Sequence, residues 1–172
     1  MLAIFRHNFV NILFFNAIWF TCVIGRLDWI WISAPVLLIY ILTNFPSPQK
    51  ILLYVAVPAA IGILIDAVLI QLNVFVFPKA TTWMPLWLVV LWLGFATTLT
   101  KSLALFGKRP VLAVAAGMFG FPLSYLAAHR FGAVDFGYST EMVALLLSAI
   151  WAIMLPTLFW ILKREARNLN AH

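Results

Sequence analysis

The chain has 172 residues, of which 65% are hydrophobic and 9% are charged, and its mean hydropathy is +1.06. Because a soluble domain is about half apolar and about one quarter charged, this composition excludes a soluble enzyme, a disordered tail and a disulfide-rich secreted domain. The net charge is +6, but the eleven Lys and Arg residues lie singly or in pairs between apolar runs, which is typical of membrane topology and excludes a nucleic-acid partner. The sequence predicts a polytopic membrane protein whose partners include membrane lipids.

Six apolar runs follow one another along the chain, and a bilayer core about 30 Å thick needs roughly 20 apolar residues per helix. The runs are residues 9–25, 29–45, 51–72, 84–106, 110–130 and 142–162. Only three residues separate the first two runs, which favours a tight helical hairpin there. We therefore predict an all-α membrane protein, with one transmembrane domain over residues 1–172 that is a bundle of about six helices joined by short loops.

Basic residues are distributed unevenly between the two sides of such a six-span chain. Eight lie on the side of the termini and three on the other side. The eight are Arg6, Lys50, Lys101, Lys108, Arg109, Lys163, Arg164 and Arg167, and the three are Arg26, Lys79 and Arg130. Because cytoplasmic loops are enriched in Lys and Arg, this bias predicts that the N and C termini are cytoplasmic.

Asp66 lies inside the third run, where an acid costs at least about 2.5–3.5 kcal/mol on membrane-insertion scales. Such a residue is either a proton, cation or head-group site, or a structural group that hydrogen-bonds between helices. Ser124 and Tyr125 lie as far along the fifth run as Asp66 lies along the third, so the three form a candidate intramembrane polar site. Lys101 is too far from this depth for an ion pair, and Lys101 and Arg130 are predicted to be interfacial anchors.

The fifth run has small residues at every fourth position. Ala116, Gly120, Ser124 and Ala128 fall on one face of the predicted helix. Small side chains at this spacing allow helix backbones to approach closely, so we predict a helix-packing seam. Its partner is either a sister helix or a second subunit.

Prolines and threonines inside the runs affect the backbone carbonyls of the helices. Pro58, Pro122 and Pro156 each free a carbonyl four residues earlier, which can serve a transport site or simply bend the helix. The hydroxyls of Thr97 and Thr98 are predicted to bond carbonyls of their own helix.

No catalytic residue is assigned from the sequence, which lacks the common zinc, disulfide-exchange, phosphate-loop and serine-hydrolase motifs. Ser124 and His129 lie just over one helical turn apart, but no third group orients them, so a hydrolase is disfavoured. The histidines are dispersed, and neither a metal site nor a cofactor is predicted.

Four segments resemble a family of small proteobacterial inner-membrane proteins, catalogued as domain of unknown function two thousand eight hundred and seventy-eight. They are NILFFNAIWFTCVIG, GILIDAVL, PLWLVVLWLGFATTLTKSL and GMFGFPLSYLAAHRFGAV. The resemblance covers nearly the whole chain and implies importance for Asn16, Trp19, Asp66, Pro85, Trp87, Trp92, Lys101, Ser102, Gly120, Pro122, Tyr125 and Gly132. Where the family typically has Gly-Pro, this chain has Phe121-Pro122. The resemblance also implies a bacterial inner membrane and an envelope or lipid-related process.

Three functions fit these observations. The first is a non-catalytic accessory or structural subunit with a protein partner or a second copy of itself, because the loops are short and no catalytic group is evident. The second is a small proton-coupled transporter that uses Asp66. The third is an intramembrane lipid-modifying enzyme, for which Asp66 and Tyr125 are the candidate acid–base pair.

Overall fold

A computed structural model describes residues 2–77 and 84–169 of the chain, with the side chains of residues 8–77 and 84–167. Within these ranges the chain forms seven helices and one pair of two-residue strands. The helices are α1 (Leu2–Gly25), α2 (Ile30–Asn44), α3 (Pro48–Gln71), α4 (Leu86–Leu99), α5 (Ala104–Gly107), α6 (Pro110–Arg130) and α7 (Thr140–Leu169), and the strands are β1 (Phe75–Val76) and β2 (Asp135–Phe136). The all-α membrane fold predicted from the composition is confirmed.

Four of the helices are long and apolar enough to cross a membrane, namely α1, α3, α6 and α7. The apolar helices α2 and α4 have 15 and 14 residues, which is shorter than the roughly 20 residues that span a bilayer core. Large apolar side chains cover the outside of the bundle, and Trp31, Val111, Leu145 and Ile153 are each more than 70% exposed. A surface of this kind belongs in lipid, because water disfavours large apolar patches. The number of six spans and the cytoplasmic termini stay predictions.

Helix α4 lies at the centre of the bundle, where it packs against α1, α2 and α3, while α6 packs along α7. The fourth run was predicted to continue to residue 106, but α4 ends at Leu99 and a turn leads into α5. The side chain of Asn11 explains this early end, because its Oδ1 accepts hydrogen bonds from the backbone N–H (3.3 Å) and the hydroxyl (2.6 Å) of Ser102. Thr97 and Thr98 bond carbonyls of their own helix as predicted.

Two of the three prolines noted in the sequence follow a π-helical turn. Residues Leu52–Ala56 in α3 and Ala116–Gly120 in α6 are π-helical, and Pro58 and Pro122 come two residues after these turns. Proline has no backbone N–H to donate, and a wider turn before it allows the helix to continue without that hydrogen bond. Both helices therefore continue through their prolines.

The strand pair was missing from the predicted architecture. β1 and β2 are antiparallel, with Phe75 opposite Phe136 and Val76 opposite Asp135. Two residues are too few to show the alternation of polar and apolar side chains that identifies a strand. We call this end of the bundle the strand end, and the opposite end, with the α2–α3 connection, α5 and the last turns of α7, the lysine end. Lys79, predicted on the side of the membrane away from the termini, lies outside the described residues, as does the side chain of Arg6.

Candidate functional site

Asp66 links three helices by hydrogen bonds at the centre of the bundle. Its side chain is buried, with 1% of its surface exposed. Asp66 Oδ2 accepts a 2.7 Å hydrogen bond from Trp92 Nε1, and the Tyr125 hydroxyl donates to Oδ1 and Oδ2 at 3.2 and 3.4 Å. The structure thus brings Asp66 and Tyr125 together, as their depths along the helices suggested. The third member of the predicted group, Ser124, lies elsewhere and bonds a different residue.

Trp92 reaches Asp66 because Gly62 leaves room for its indole ring. A Cβ atom on Gly62 would lie 2.1 Å from Trp92 Cζ3, so a side chain there would displace the ring. Gly62 precedes Asp66 by four residues and therefore lies on the same face of α3. Sequence reasoning missed Trp92 as a partner of Asp66, although a glycine one turn before a buried acid was the signal for it.

A large apolar cavity of about 560 Å³ lies between α1 and α6 and is called the α1–α6 cavity below. Aromatic side chains form much of its wall. They include Phe15, Trp19 and Phe20 from α1, Trp87, Trp92 and Phe95 from α4, Phe121 and Tyr125 from α6, and Trp151 from α7. Four lining residues are exposed on the outside of the bundle, Asn16 and Phe20 on α1 and Gly120 and Leu123 on α6. The cavity therefore opens sideways, toward the surface that faces lipid.

The predicted small-residue seam borders this cavity. Ala116, Gly120, Ser124 and Ala128 all line it, and a Cβ atom on Gly120 would meet no heavy atom within 4 Å. The close approach between helices occurs instead at Gly117 of α6. A Cβ atom added there would lie 2.2 Å from the backbone carbonyl oxygen of Trp151 in α7. Within the described residues Gly120 faces open space, whereas Ser124 bonds Trp19 of α1, so a packing seam against a sister helix stays a prediction. A second subunit on the seam stays a prediction.

Stacked aromatic rings form the back wall of the cavity. Trp151 stacks on Phe121, with ring centroids 4.1 Å apart, and on Trp92 at 5.6 Å. Phe95 meets Trp151 edge to face at 5.4 Å. Asp66 is not among the lining residues and lies behind this wall, where it holds Trp92 and Tyr125 in place. The carboxylate therefore positions the wall of the cavity and does not face its interior.

Two polar contacts join α1 and the residue after it to α6 and the loop that follows α6. Trp19 Nε1 donates a 2.8 Å hydrogen bond to Ser124 Oγ. Beyond it, the guanidinium of Arg26 donates to the backbone carbonyls of Phe131, at 3.0 Å, and Gly132. Arg130 is exposed at the last residue of α6, and its role as an interfacial anchor stays a prediction.

The two residues of the disfavoured hydrolase pair have different hydrogen-bond partners. His129 Nδ1 lies 2.9 Å from the carbonyl oxygen of Val134, in the loop that follows α6, while Ser124 is bonded by Trp19. Among the described side chains, no three His, Cys, Asp or Glu residues lie close enough to share a metal ion.

Lys101 lies at the lysine end, far along the bundle from Asp66. Its Nζ donates a 2.9 Å hydrogen bond to Asn44 Oδ1 and lies 5.9 and 5.5 Å from the ring centroids of Tyr40 and Phe45. The side chain of Lys101 is thus directed to polar and aromatic groups near the end of α2.

Comparison with known proteins identifies the family of the chain. A family model described as a protein of unknown function, DUF2878, matches residues 8–157. This chain belongs to the DUF2878 family. The resemblance noted in the sequence is thereby confirmed, and the matched part of this DUF2878 protein contains both the Asp66 contacts and the α1–α6 cavity. No curated protein and no solved structure matches it.

Proposed function

We propose that this DUF2878 protein is a non-catalytic membrane protein that binds an apolar chain of a membrane lipid in the α1–α6 cavity. In this role it is an accessory component of a lipid-related process in the bacterial inner membrane. The observation that carries the proposal is the cavity itself, which is apolar, aromatic-lined and open toward lipid. The cavity is already formed in the protein, and it opens to the lipid that contains the proposed ligand.

The dimensions of the cavity suit a chain-like apolar ligand. Its volume of about 560 Å³ falls within the range of about 300–1,000 Å³ that is usual for small-molecule sites. The lining residues on α6 extend from Ala116 to Ala128, which corresponds to about 18 Å at 1.5 Å per residue. A long, narrow space without a charged lining residue favours an acyl or isoprenoid chain over a polar metabolite.

Access from the side follows from how α1 and α6 are joined. Among the described residues, Trp19 bonds Ser124 between the two helices, and Arg26 bonds Phe131 between the loops that follow them near the strand end. The exposed lining residues Asn16 and Gly120 lie further from that end, at the open part of the cavity. A chain in the surrounding lipid can therefore enter between the helices at this part of the cavity.

The polar residues of the site support a binding role over catalysis or proton transport. Both carboxylate oxygens of Asp66 accept hydrogen bonds, and the residue has no face on the cavity. Ser124 is held by Trp19, and His129 is turned toward the backbone of the following loop. Asp66, Ser124 and His129 thus each have a hydrogen-bond partner in the structure. This favours a role in positioning neighbouring groups over a role in catalysis or proton transport.

The experiment that tests the proposal is native mass spectrometry of the protein released from its own lipids, as wild type, Gly120→Leu and Ala17→Leu. Leucine at residue 120 fills open space in the cavity, whereas Ala17 is an exposed residue of α1 that does not line it. We expect the wild type and Ala17→Leu to retain one tightly bound lipid and Gly120→Leu to lose it. Equal lipid retention by all three proteins would refute the proposal. A protein partner that copurifies in fixed ratio would identify the process that the subunit serves.

A further inference from the structure

A second cavity lies at the lysine end and differs in chemistry from the first. Its volume is about 740 Å³, and it lies between α3, the turn after α4, α5 and α7. The buried side chains of Phe45, Leu99, Phe159 and Leu162 form an apolar floor. Four lysines line the same space, Lys50, Lys101, Lys108 and Lys163. The four lysines come from different segments of the chain, so the tertiary fold brings them together.

Lys101 is the innermost and best-held of these four lysines. It is half-buried, whereas the other three are exposed. Its ammonium group donates to Asn44 Oδ1 at 2.9 Å and lies over the rings of Tyr40 and Phe45. A lysine ammonium has three donors, so this arrangement fixes Lys101 and leaves donors for a ligand. The residues Tyr54 and Thr100 line the same cavity.

The charges around this cavity are strongly biased. None of the residues that line it is acidic. Asp28, Asp135 and Glu141 lie at the strand end, and Asp66 is enclosed at the centre of the bundle. Glu165, on α7 beside the lining residue Ala166, is the acidic residue of the lysine end within the described part of the chain, and it has an interaction of its own. The lysines therefore outnumber the acids, and the cavity attracts anions.

We propose that this lysine cavity binds a phosphate group, with Lys101 as the central contact and Lys50, Lys108 and Lys163 around the rim. Basic pockets between membrane helices are suited to anionic head groups, because several cations and a concave surface act together. The apolar floor below the lysines would contact the part of a lipid that adjoins its phosphate. The ligand chemistry is a phosphate monoester or diester, carried by an anionic lipid or by a soluble phosphate. The site is independent of the α1–α6 cavity, since the two share no lining residue.

The test measures lipid binding to the full chain by native mass spectrometry, with phosphatidylglycerol and phosphatidylcholine as probes. The variants are Lys101→Gln, Lys108→Gln and Arg109→Gln. Arg109 is the matched control, because it is exposed, adjoins Lys108 and carries the same charge but does not line the cavity. We expect the wild type to prefer phosphatidylglycerol, and each of the two lysine variants to lose about fivefold in its affinity. Arg109→Gln should leave that affinity within about twofold of the wild type.

Further arms distinguish the sources of the phosphate and keep the test decisive. Competition of phosphatidylglycerol binding by millimolar inorganic phosphate or glycerol phosphate would assign the site to a soluble phosphate, and the absence of competition would assign it to a lipid. An equal loss in Lys108→Gln and Arg109→Gln would overturn the proposal, because general surface charge would then explain the binding. No preference for phosphatidylglycerol in the wild type, with no binding of the soluble phosphates, would overturn it as well. Lys108 is exposed, so its variant tests the site even if Lys101→Gln unfolds.

Discussion

Replacement of Gly62 by alanine should destabilise the bundle, although alanine is normally the better helix former. The added Cβ would lie 2.1–2.4 Å from three ring atoms of Trp92, far inside van der Waals contact. The ring cannot yield easily, because it is buried and stacked on Trp151 at 5.6 Å. Displacement of the ring would also break the 2.7 Å hydrogen bond between Trp92 Nε1 and Asp66.

The expected loss of stability is the sum of two destabilising contributions and one stabilising contribution. The buried N–H of Trp92 that loses its acceptor costs about 1–3 kcal/mol. Overpacking of a well-packed core costs about 1–3 kcal/mol. The gain in helix propensity offsets about 0.5–1 kcal/mol of this. Gly62→Ala should therefore lower the free energy of unfolding by about 1–5 kcal/mol.

The assay is unfolding of the purified protein by sodium dodecyl sulfate in mixed micelles, followed by far-ultraviolet circular dichroism. Gly120→Ala is the matched control, since a Cβ atom there meets nothing within 4 Å. The control should be unchanged or more stable by about 0.5–1 kcal/mol. If Gly62→Ala is as stable as Gly120→Ala, the reasoning about Gly62, Trp92 and Asp66 is refuted.

Four further variants probe the polar contacts of the bundle. Asp66→Leu should lower the free energy of unfolding by about 1–3 kcal/mol in the same titration, because the indole N–H of Trp92 loses its buried acceptor. Asp66→Asn should cost less, since its amide oxygen can still accept, and an equal loss in both variants would contradict this role. Asn11→Ala should also cost about 1–3 kcal/mol, because Asn11 joins α1 to α2 and to the turn after α4; a stability equal to the wild type would count against it. Arg26→Gln should reduce stability by only about 0.5–1.5 kcal/mol but accelerate amide hydrogen exchange in residues 131–137, and unchanged exchange there would show that the guanidinium does not hold the loop.

The helices could be predicted from the sequence because their signal is local. Each apolar run contains a helix of the structure, since a backbone in lipid must satisfy its hydrogen bonds within the segment. The contact between Asp66 and Tyr125 was also accessible, because equal distances along two parallel helices place residues at equal depth. The end of α4 at Leu99 could not be predicted from the sequence in this way. It depends on Asn11, which is ninety-one residues away from the Ser102 that it binds.

The α1–α6 cavity could not be predicted from the small residues that border it. The spacing of Gly120 and Ser124 is the same for a seam that packs and for one that leaves space. The tertiary arrangement decides between them, because Gly117 on the neighbouring row makes the close approach to α7 instead. The lysine cavity is likewise a tertiary feature, since Lys50 and Lys163 meet only when α3 and α7 are packed.

The most direct test of the lipid-binding proposal is photo-crosslinking in bilayers with a phospholipid that carries a diazirine in its acyl chain. The proposal predicts labelling of buried lining residues, such as Trp92 and Phe95, which the surrounding lipid does not contact, and loss of that labelling in Gly120→Leu. Labelling of exposed residues away from the cavity, such as Leu145 and Ile153, should persist in the variant. Uniform labelling of the whole apolar surface, unchanged by Gly120→Leu, would contradict the proposal that the cavity holds a lipid chain.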